Sequence, residues 1–251
     1  MENRNIIYYE QLDSTNTQID RLAAKGANHG TVVIAKAQSA GKGRRGRSWE
    51  SPAGENLYMS ILLRPQMETE KAPMLTLVMA YSVLKAIQKQ GFDMARIKWP
   101  NDIVISGKKV CGILTEMHLA GSDIDYVVIG IGVNVNTKEF SPELSDKATS
   151  LYLEDGCARQ PQMIAVDILD SFWHEYERFM EKKDLTFIQE EYNAMLVNRE
   201  REVKVLEPEQ EYQAQALGIN NAGELIVRLE NGEERTVYAG EVSVRGVYGY
   251  V

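Results

Sequence analysis

The sequence has few cysteines, few histidines and no long apolar segment. Among its 251 residues are two cysteines, Cys111 and Cys157, too few for a disulfide framework. Their spacing from the three histidines matches no structural zinc site, so no metal-ligating residue is predicted. No apolar run approaches the roughly 20 residues that span a membrane, and residues 1–5 lack the layout of a signal peptide. The sequence therefore predicts a cytoplasmic protein without a membrane partner.

Positive charge is also scarce. Lysine and arginine number 28 against 36 aspartates and glutamates, which gives a net charge of −8. General nucleic-acid binding neutralises many phosphates, so no nucleic-acid partner is expected. The length and the 44% hydrophobic content suffice for one large and one small domain. We predict domains at 1–198 and 199–251, because short strands replace helices after about residue 200.

Residues 41–47 stand out because they combine three glycines with four cations. Glycine backbone and arginine forks suit a phosphate or a carboxylate. The glycine spacing also satisfies the dinucleotide fingerprint and nearly satisfies a Walker A loop, but both motifs must open a helix. Pro52 and Gly54 break any helix here. The stretch therefore predicts an anion-binding loop between strands at 31–38 and 56–63.

Two further stretches place polar or small side chains beside predicted elements. Residues 13–16 follow a short strand at 6–9 and open a helix, and at least one of Ser14 and Thr15 is expected to cap it. In the apolar strand at 126–135, two glycines lie two residues apart and therefore on one face. Their missing side chains would admit a ligand or a second backbone.

The remaining pattern indicates helices and then short strands. Amphipathic helices are predicted at 74–90, 162–181 and 185–197. Strands of a small barrel are predicted at 203–206, 213–219, 225–229, 235–239 and 242–244.

A hairpin is predicted where strands at 103–105 and 110–116 flank residues 106–108. A two-residue loop would place Lys109 on the same sheet face as Asp102 and Lys108 on the opposite face. A three-residue loop would reverse this arrangement. The loop length therefore decides which lysine faces the site.

In this order the stretches resemble the biotin protein ligases and, more distantly, the lipoate ligases. The resemblance spans about residues 13–245, and its strongest motifs are 41–47 with Trp49, and 98–102, followed by 109–112 and 130–134. It implies an α+β fold: a mixed β-sheet flanked by helices, as in a class II synthetase-like catalytic domain, with a small C-terminal SH3-like β-barrel.

The resemblance also implies a two-step reaction. Biotin and ATP with Mg²⁺ would give biotinyl-AMP, and a lysine of the biotin carboxyl carrier of acetyl-CoA carboxylase would then accept the biotinyl group. A homodimer is a further expectation. The implied catalytic residues are Lys109 and Arg44. The implied biotin-binding residues are Ser14, Thr15, Asn16, Gln38, Gly41, Lys42, Lys109, Gly112 and Gly130. The implied nucleotide-binding residues are Arg44, Arg45, Trp49, Asn134 and Arg245.

The chain departs from the usual family motif at Lys42, where arginine is common, and so loses a bidentate fork. The catalytic domain is predicted to begin about a dozen residues from Met1, so no DNA-binding domain and no regulation of DNA are expected. We expect the loop at 42–51 to be mobile without ligand and to close over it as a lid. Two alternatives remain open: a lipoate or octanoate ligase, and a nucleotide- or RNA-binding module without chemistry.

Overall fold

The computed structural model describes residues 5–207, 210–239, 243–246 and 250–251. A seven-stranded sheet forms the larger part, in the order β1-β2-β3-β7-β6-β5-β4. Its strands are β1 (Ile6–Leu12), β2 (Val32–Gln38), β3 (Leu57–Leu63), β4 (Arg96–Lys98), β5 (Asp102–Ile105), β6 (Lys108–Ala120) and β7 (Asp123–Val133). Strand β1 runs parallel to β2 and the other neighbours pair antiparallel. The predicted mixed sheet is confirmed.

Helices cover both faces of this sheet. They are α1 (Thr15–Ala23), α2 (Met74–Lys89), α3 (Leu151–Asp155), α4 (Pro161–Lys182) and α5 (Gln189–Ala194). On one face α2 and α4 enclose the main core, which contains the fully buried Leu75 and Phe172. On the other face Ile19 of α1 packs against Val33 and Val128. No described helix has the length and apolarity needed to cross a membrane.

The predicted helices at 74–90 and 162–181 are confirmed, the latter beginning at Pro161. The helix predicted at 185–197 is too long. Its first residue bonds to a turn that follows residue 219, where Leu185 N donates to Asn221 O at 2.8 Å, and Leu196 forms a bridge with Ile97. These tertiary contacts leave only the six residues of α5 helical.

The second sheet has five antiparallel strands in the order β11-β10-β9-β8-β12. They are β8 (Glu202–Leu206), β9 (Glu211–Ile219), β10 (Leu225–Arg228), β11 (Glu234–Val237) and β12 (Ser243–Gly246). The sheet is consistent with the expected SH3-like domain, although the strand predicted at 242–244 lies partly outside the described residues. Trp99 Nε1 donates to Gly223 O at 3.0 Å and so ties the two sheets together. The domain boundary after residue 198 stays a prediction.

Candidate active site

The turn between β5 and β6 decides which lysine faces the site. Its two residues, Ser106 and Gly107, have φ of 52° and 78°, as a tight two-residue hairpin requires. Lys109 consequently lies on the face of Asp102, with Nζ 2.7 Å from Asp102 Oδ1. Lys108 Nζ instead donates to a carbonyl on the exposed surface at 2.8 Å. The conditional prediction for a two-residue loop is confirmed.

A β-bulge in β6 was not predicted, and it brings a glycine onto the same face. Lys109 pairs with Val104, whereas Cys111 pairs with the preceding residue of β5, so that Val110 is the extra residue. In a regular strand Lys109 and Gly112 would face opposite sides, because side chains alternate. The bulge lets both line one pocket, while Cys111 is fully buried, as the sequence predicted.

One end of the pocket is a network of hydroxyl and amide groups where α1 begins. Gln38 Oε1 accepts from the backbone N of Thr15 at 2.8 Å and from its Oγ1 at 3.1 Å. Ser60 Oγ lies 2.7 Å from Thr15 Oγ1 and 2.6 Å from Asn16 Oδ1. Asn16 Nδ2 donates to Glu116 Oε2 at 2.6 Å. We call Ser14, Thr15, Asn16, Gln38 and Ser60 the hydroxyl–amide end.

The predicted side-chain capping of α1 is wrong. Ser14 occupies the N-cap position with extended φ and ψ, but among the described residues of this turn its hydroxyl makes no capping hydrogen bond. The hydroxyl of Thr15 donates to Gln38 Oε1 instead. Both side chains line the pocket. The dense polar group at this helix start therefore serves the pocket rather than the helix.

The other end of the pocket carries charge. We call Arg44, Lys98 and Lys109, gathered around Asp102, the cationic end. Arg44 Nη1 donates to Asn101 Oδ1 at 2.9 Å. Burial disfavours the charge of Asp102, but Lys109 and then Lys98 outweigh that cost and hold its pKa below the usual value. Burial lowers the pKa of Lys98 to about 8, against the opposing effect of Asp102.

Trp49 belongs to the loop at 42–51, which we call the basic loop, and it lies between the two ends. A Cβ at Gly112 would lie 2.9 Å from its indole ring, and one at Gly132 would lie 2.7 Å away. Lys109 Nζ lies 5.1 Å from the ring centroid, a cation–π distance. A Cβ at Gly130 would lie 2.1 Å from Asn16 Oδ1. The glycines of β6 and β7 thus leave room for the polar groups and the indole above the sheet.

The pocket is open to solvent, and about 450 Å³ of empty space lies between its walls and its mouth. The structure brings together most of the residues predicted from the sequence. They are Ser14, Thr15, Asn16, Gln38, Lys42, Arg44, Trp49, Lys109, Gly112 and Gly130. Lys42 Nζ lies 3.3 Å from Glu116 Oε1, which joins the basic loop to the hydroxyl–amide end.

Four predicted residues lie outside the pocket lining. Gly41 packs against the loop itself, where a Cβ would lie 2.4 Å from Trp49 O. Arg45 and Arg245 are exposed. The amide of Asn134 is buried and donates to a backbone carbonyl at 3.0 Å. Their predicted roles stay predictions.

The sequence analysis missed individual roles for several residues. Ser60 is a lone polar residue within an apolar strand pattern, a signal that could have identified it. Glu116 follows Thr115 at the end of a predicted strand, where a polar residue is ordinary. Lys98 and Asn101 belong to a motif that the analysis singled out without assigning roles. Tyr250 carries no sequence signal, because only the fold brings it to Asp102.

Together, the fold and the pocket define an α+β site that can hold a neutral polar group at one end and an anion at the other. A sequence profile of the biotin/lipoate A/B protein ligase family matches residues 8–134. A profile of the biotin protein ligase C terminal domain matches residues 200–245. The chain belongs to the biotin/lipoate A/B protein ligase family.

Individual relatives share both parts of the chain. The bifunctional ligase/repressor BirA of Bacillus subtilis is 35% identical over 245 residues, covering 96% of this chain and 74% of that protein. A biotin–acetyl-CoA-carboxylase ligase of Paracoccus denitrificans is 34% identical, covering 93% and 98%. The structure of the Aquifex aeolicus biotin protein ligase with biotin and ATP superimposes with a TM-score of 0.85, 29% identity and coverage of 97% and 99%.

Proposed function

We propose that this protein activates biotin with ATP to biotinyl-5'-AMP and transfers the biotinyl group to a lysine of a biotin carboxyl carrier protein. The observation that carries the proposal is a single pocket with a neutral hydroxyl–amide end and a cationic end about Lys109. Biotin has the matching polarity, with a neutral ureido ring at one end and a carboxylate at the other. The names of the relatives in the comparison support the same reaction.

The hydroxyl–amide end binds the ureido ring. Its groups are fixed before ligand arrives, because Gln38 holds Thr15, and Ser60 and Glu116 hold the amide of Asn16. A ligand that meets oriented donors and acceptors loses less free energy to reorganisation. An apolar ligand would cover these groups without using their remaining hydrogen-bonding capacity, which is costly for polar atoms that lose contact with water.

The cationic end serves the first chemical step. A carboxylate oxygen of biotin attacks the α-phosphorus of ATP, a new P–O bond forms, and the bond to the β-phosphate breaks as pyrophosphate leaves. Two anions must approach each other, so cations contribute more than an acid or a base would. In this proposal Lys109 contacts the carboxylate and then the acyl phosphate, supported by its position in the pocket beside Arg44 and by the nearby charge of the buried Lys98.

In the second step the ε-amine of the carrier lysine attacks the acyl carbon. A C–N bond forms, the bond to the phosphate oxygen breaks, AMP leaves with the electron pair, and the amine loses a proton. Lys109 stabilises the negative charge that returns to the phosphate.

Magnesium enters as part of the nucleotide substrate. Among the described residues, no group of three or more His, Cys, Asp or Glu side chains could hold a metal ion. Asp102, at the cationic end, is already engaged by Lys109. This arrangement fits Mg²⁺ that is held mainly by phosphate oxygens and water, the usual mode for nucleotide substrates. The identity of the carrier, a homodimer and a cytoplasmic location remain predictions.

The test is mass spectrometry of a carrier domain incubated with the protein, biotin and MgATP. A biotin-sized mass increase on one lysine is expected, and it should need all three additions. Release of pyrophosphate without a carrier would establish the first step separately. No pyrophosphate release from biotin and MgATP would contradict the proposal and favour a binding module without chemistry.

The family also includes lipoate ligases, so the acyl substrate needs its own test. Lipoate has no ureido group for Thr15, Asn16 and Gln38 to bind. Isothermal titration is expected to show binding of biotin and none of lipoate at the same concentration. Tighter binding of lipoate would assign the protein to the alternative.

A further inference from the structure

A side chain from far along the sequence contacts the cationic end. It lies beyond residues 8–134 and 200–245, which the family profiles match. This side chain is Tyr250, whose hydroxyl donates to Asp102 Oδ2. Its ring faces Lys98, whose Nζ lies 4.1 Å from the ring centroid. One tyrosine therefore contacts two of the charged groups of the candidate active site.

The hydroxyl fixes the carboxylate of Asp102. Oδ1 of Asp102 lies against Lys109 and Oδ2 accepts from Tyr250, so that both oxygens are engaged. Without the tyrosine, Asp102 could turn towards Lys98, the other cation that lowers its pKa. Burial and the neighbouring carboxylate raise the pKa of the Tyr250 phenol, which keeps the proton on the donor.

The ring contacts Lys98 without neutralising it. A cation–π contact compensates part of the cost of burying an ammonium. A second carboxylate at this position would compensate more, but it would cancel the charge that an anionic ligand needs. Tyr250 thus holds two charged groups while adding no charge of its own.

We propose that Tyr250 is a positioning residue of the active site, whose hydroxyl orients Asp102 and through it Lys109, while its ring covers Lys98. This inference rests on the proposed function, because it concerns the step in which carboxylate and MgATP react. Tyr250 acts on the cationic end and has no contact with the hydroxyl–amide end among the described residues. Its loss should therefore slow adenylate formation far more than it weakens biotin binding.

The test compares Tyr250→Phe with wild type and with Tyr8→Phe. Phenylalanine keeps the ring over Lys98 and removes only the hydroxyl, and Tyr8 is a control because it is 58% exposed on β1. We expect Tyr250→Phe to lower the rate of pyrophosphate release about tenfold, the usual scale for a hydrogen bond to a charged group. The Kd for biotin should change far less than the rate, and the Tm should fall by only a few degrees, because Asp102 Oδ2 loses one donor. Tyr250→Leu should in addition raise the KM for MgATP.

A structural role alone would give a different result, in which Tyr250→Phe releases pyrophosphate at the wild-type rate. That outcome would overturn the inference, as would a loss of biotin affinity as large as the loss of rate in this variant. Should Tyr250→Leu fail to fold, the phenylalanine variant still decides the matter. A wild-type protein that binds biotin but releases no pyrophosphate would instead contradict the proposed function.

Discussion

The two ends of the pocket differ in their charge and in how their side chains are held in place. At the hydroxyl–amide end, neutral groups form hydrogen bonds of 2.6–3.1 Å with one another, so their orientation is fixed without ligand. At the cationic end, Arg44, Lys98 and Lys109 surround one carboxylate, Asp102, and positive charge is in excess. The first end is therefore built for recognition by shape and hydrogen bonding. At the second end the excess positive charges repel one another, and an anionic ligand would reduce that repulsion.

Substitution of Lys109 should give the largest effect on the rate of pyrophosphate release, because it changes the cationic end, where the reaction takes place. Lys109→Ala removes a charge-assisted contact, which typically costs about 1.5–3 kcal/mol, on the order of 10- to 100-fold in rate. Pyrophosphate release should fall by that factor, whereas the Tm should change much less. Lys108→Ala is the matched control, because Lys108 Nζ reaches only an exposed carbonyl. Equal effects of the two substitutions would refute both the hairpin register and the role.

Ser60→Ala should affect the hydroxyl–amide end alone. The change removes the hydroxyl between Thr15 and Asn16 and leaves their polar atoms without a fixed orientation. We expect the Kd for biotin to rise about tenfold, the scale of one buried unsatisfied group, with an unchanged KM for MgATP. Isothermal titration measures the first and steady-state kinetics the second.

Ser82→Ala is the control for this variant. Ser82 is also fully buried, but its Oγ donates to Val78 O within α2 at 2.8 Å, far from the pocket. It should alter stability only. A similar rise in Kd from both serine substitutions would mean that the effect is general loosening of the fold.

Arg44→Gly tests whether the basic loop retains the intermediate. The substitution removes the contact of the Arg44 guanidinium with Asn101 and part of the charge that attracts phosphate. We expect adenylate to form but to leak, with a several-fold increase in free biotinyl-AMP and in labelling of an unrelated protein. Intact synthesis with no increase in either quantity would contradict closure of the loop as a lid.

The smallest expected effect is a pH dependence of the cationic end. Burial lowers the pKa of Lys98 from an ordinary 10.5 to about 8, so the folded protein favours the neutral amine. Below about pH 8 the charge at Lys98 opposes folding by a constant amount, and this cost falls as the pH rises from about 8 towards 10.5, where the unfolded chain also loses its proton. Binding of MgATP requires the charge, so its KM should rise a few-fold from pH 7 to pH 9 while stability rises.

Lys98→Arg is the control for the pH effect, because arginine stays charged throughout this range. Its KM for MgATP should be flat between pH 7 and pH 9. The Kd for biotin should be flat in both proteins, since Lys98 lies at the other end. A parallel pH dependence of the two proteins would assign the titration to another group.

The sequence was most informative where local chemistry decides the structure. The basic loop was predicted to be a loop because Pro52 excludes a helix. The position of Lys109 followed from the alternation of side chains along a strand, once the turn was known to have two residues. The side-chain cap expected from Ser14 or Thr15 was wrong, since these residue types are equally suited to capping a helix and to binding a ligand. The bulge at Val110 was missed because no local pattern marks it.

By itself the sequence determined the strands and long helices, the cationic loop, and the set of polar side chains available for a ligand. These depend on periodicity, on proline and glycine geometry, and on charge, all of which act over a few residues. Only the tertiary structure decided that Ser60 joins Thr15 to Asn16, and that Tyr250 meets Asp102 across 148 positions of sequence. Such contacts depend on how sheets and helices pack in space. The number of residues between two positions in the sequence does not determine the distance between them in the fold.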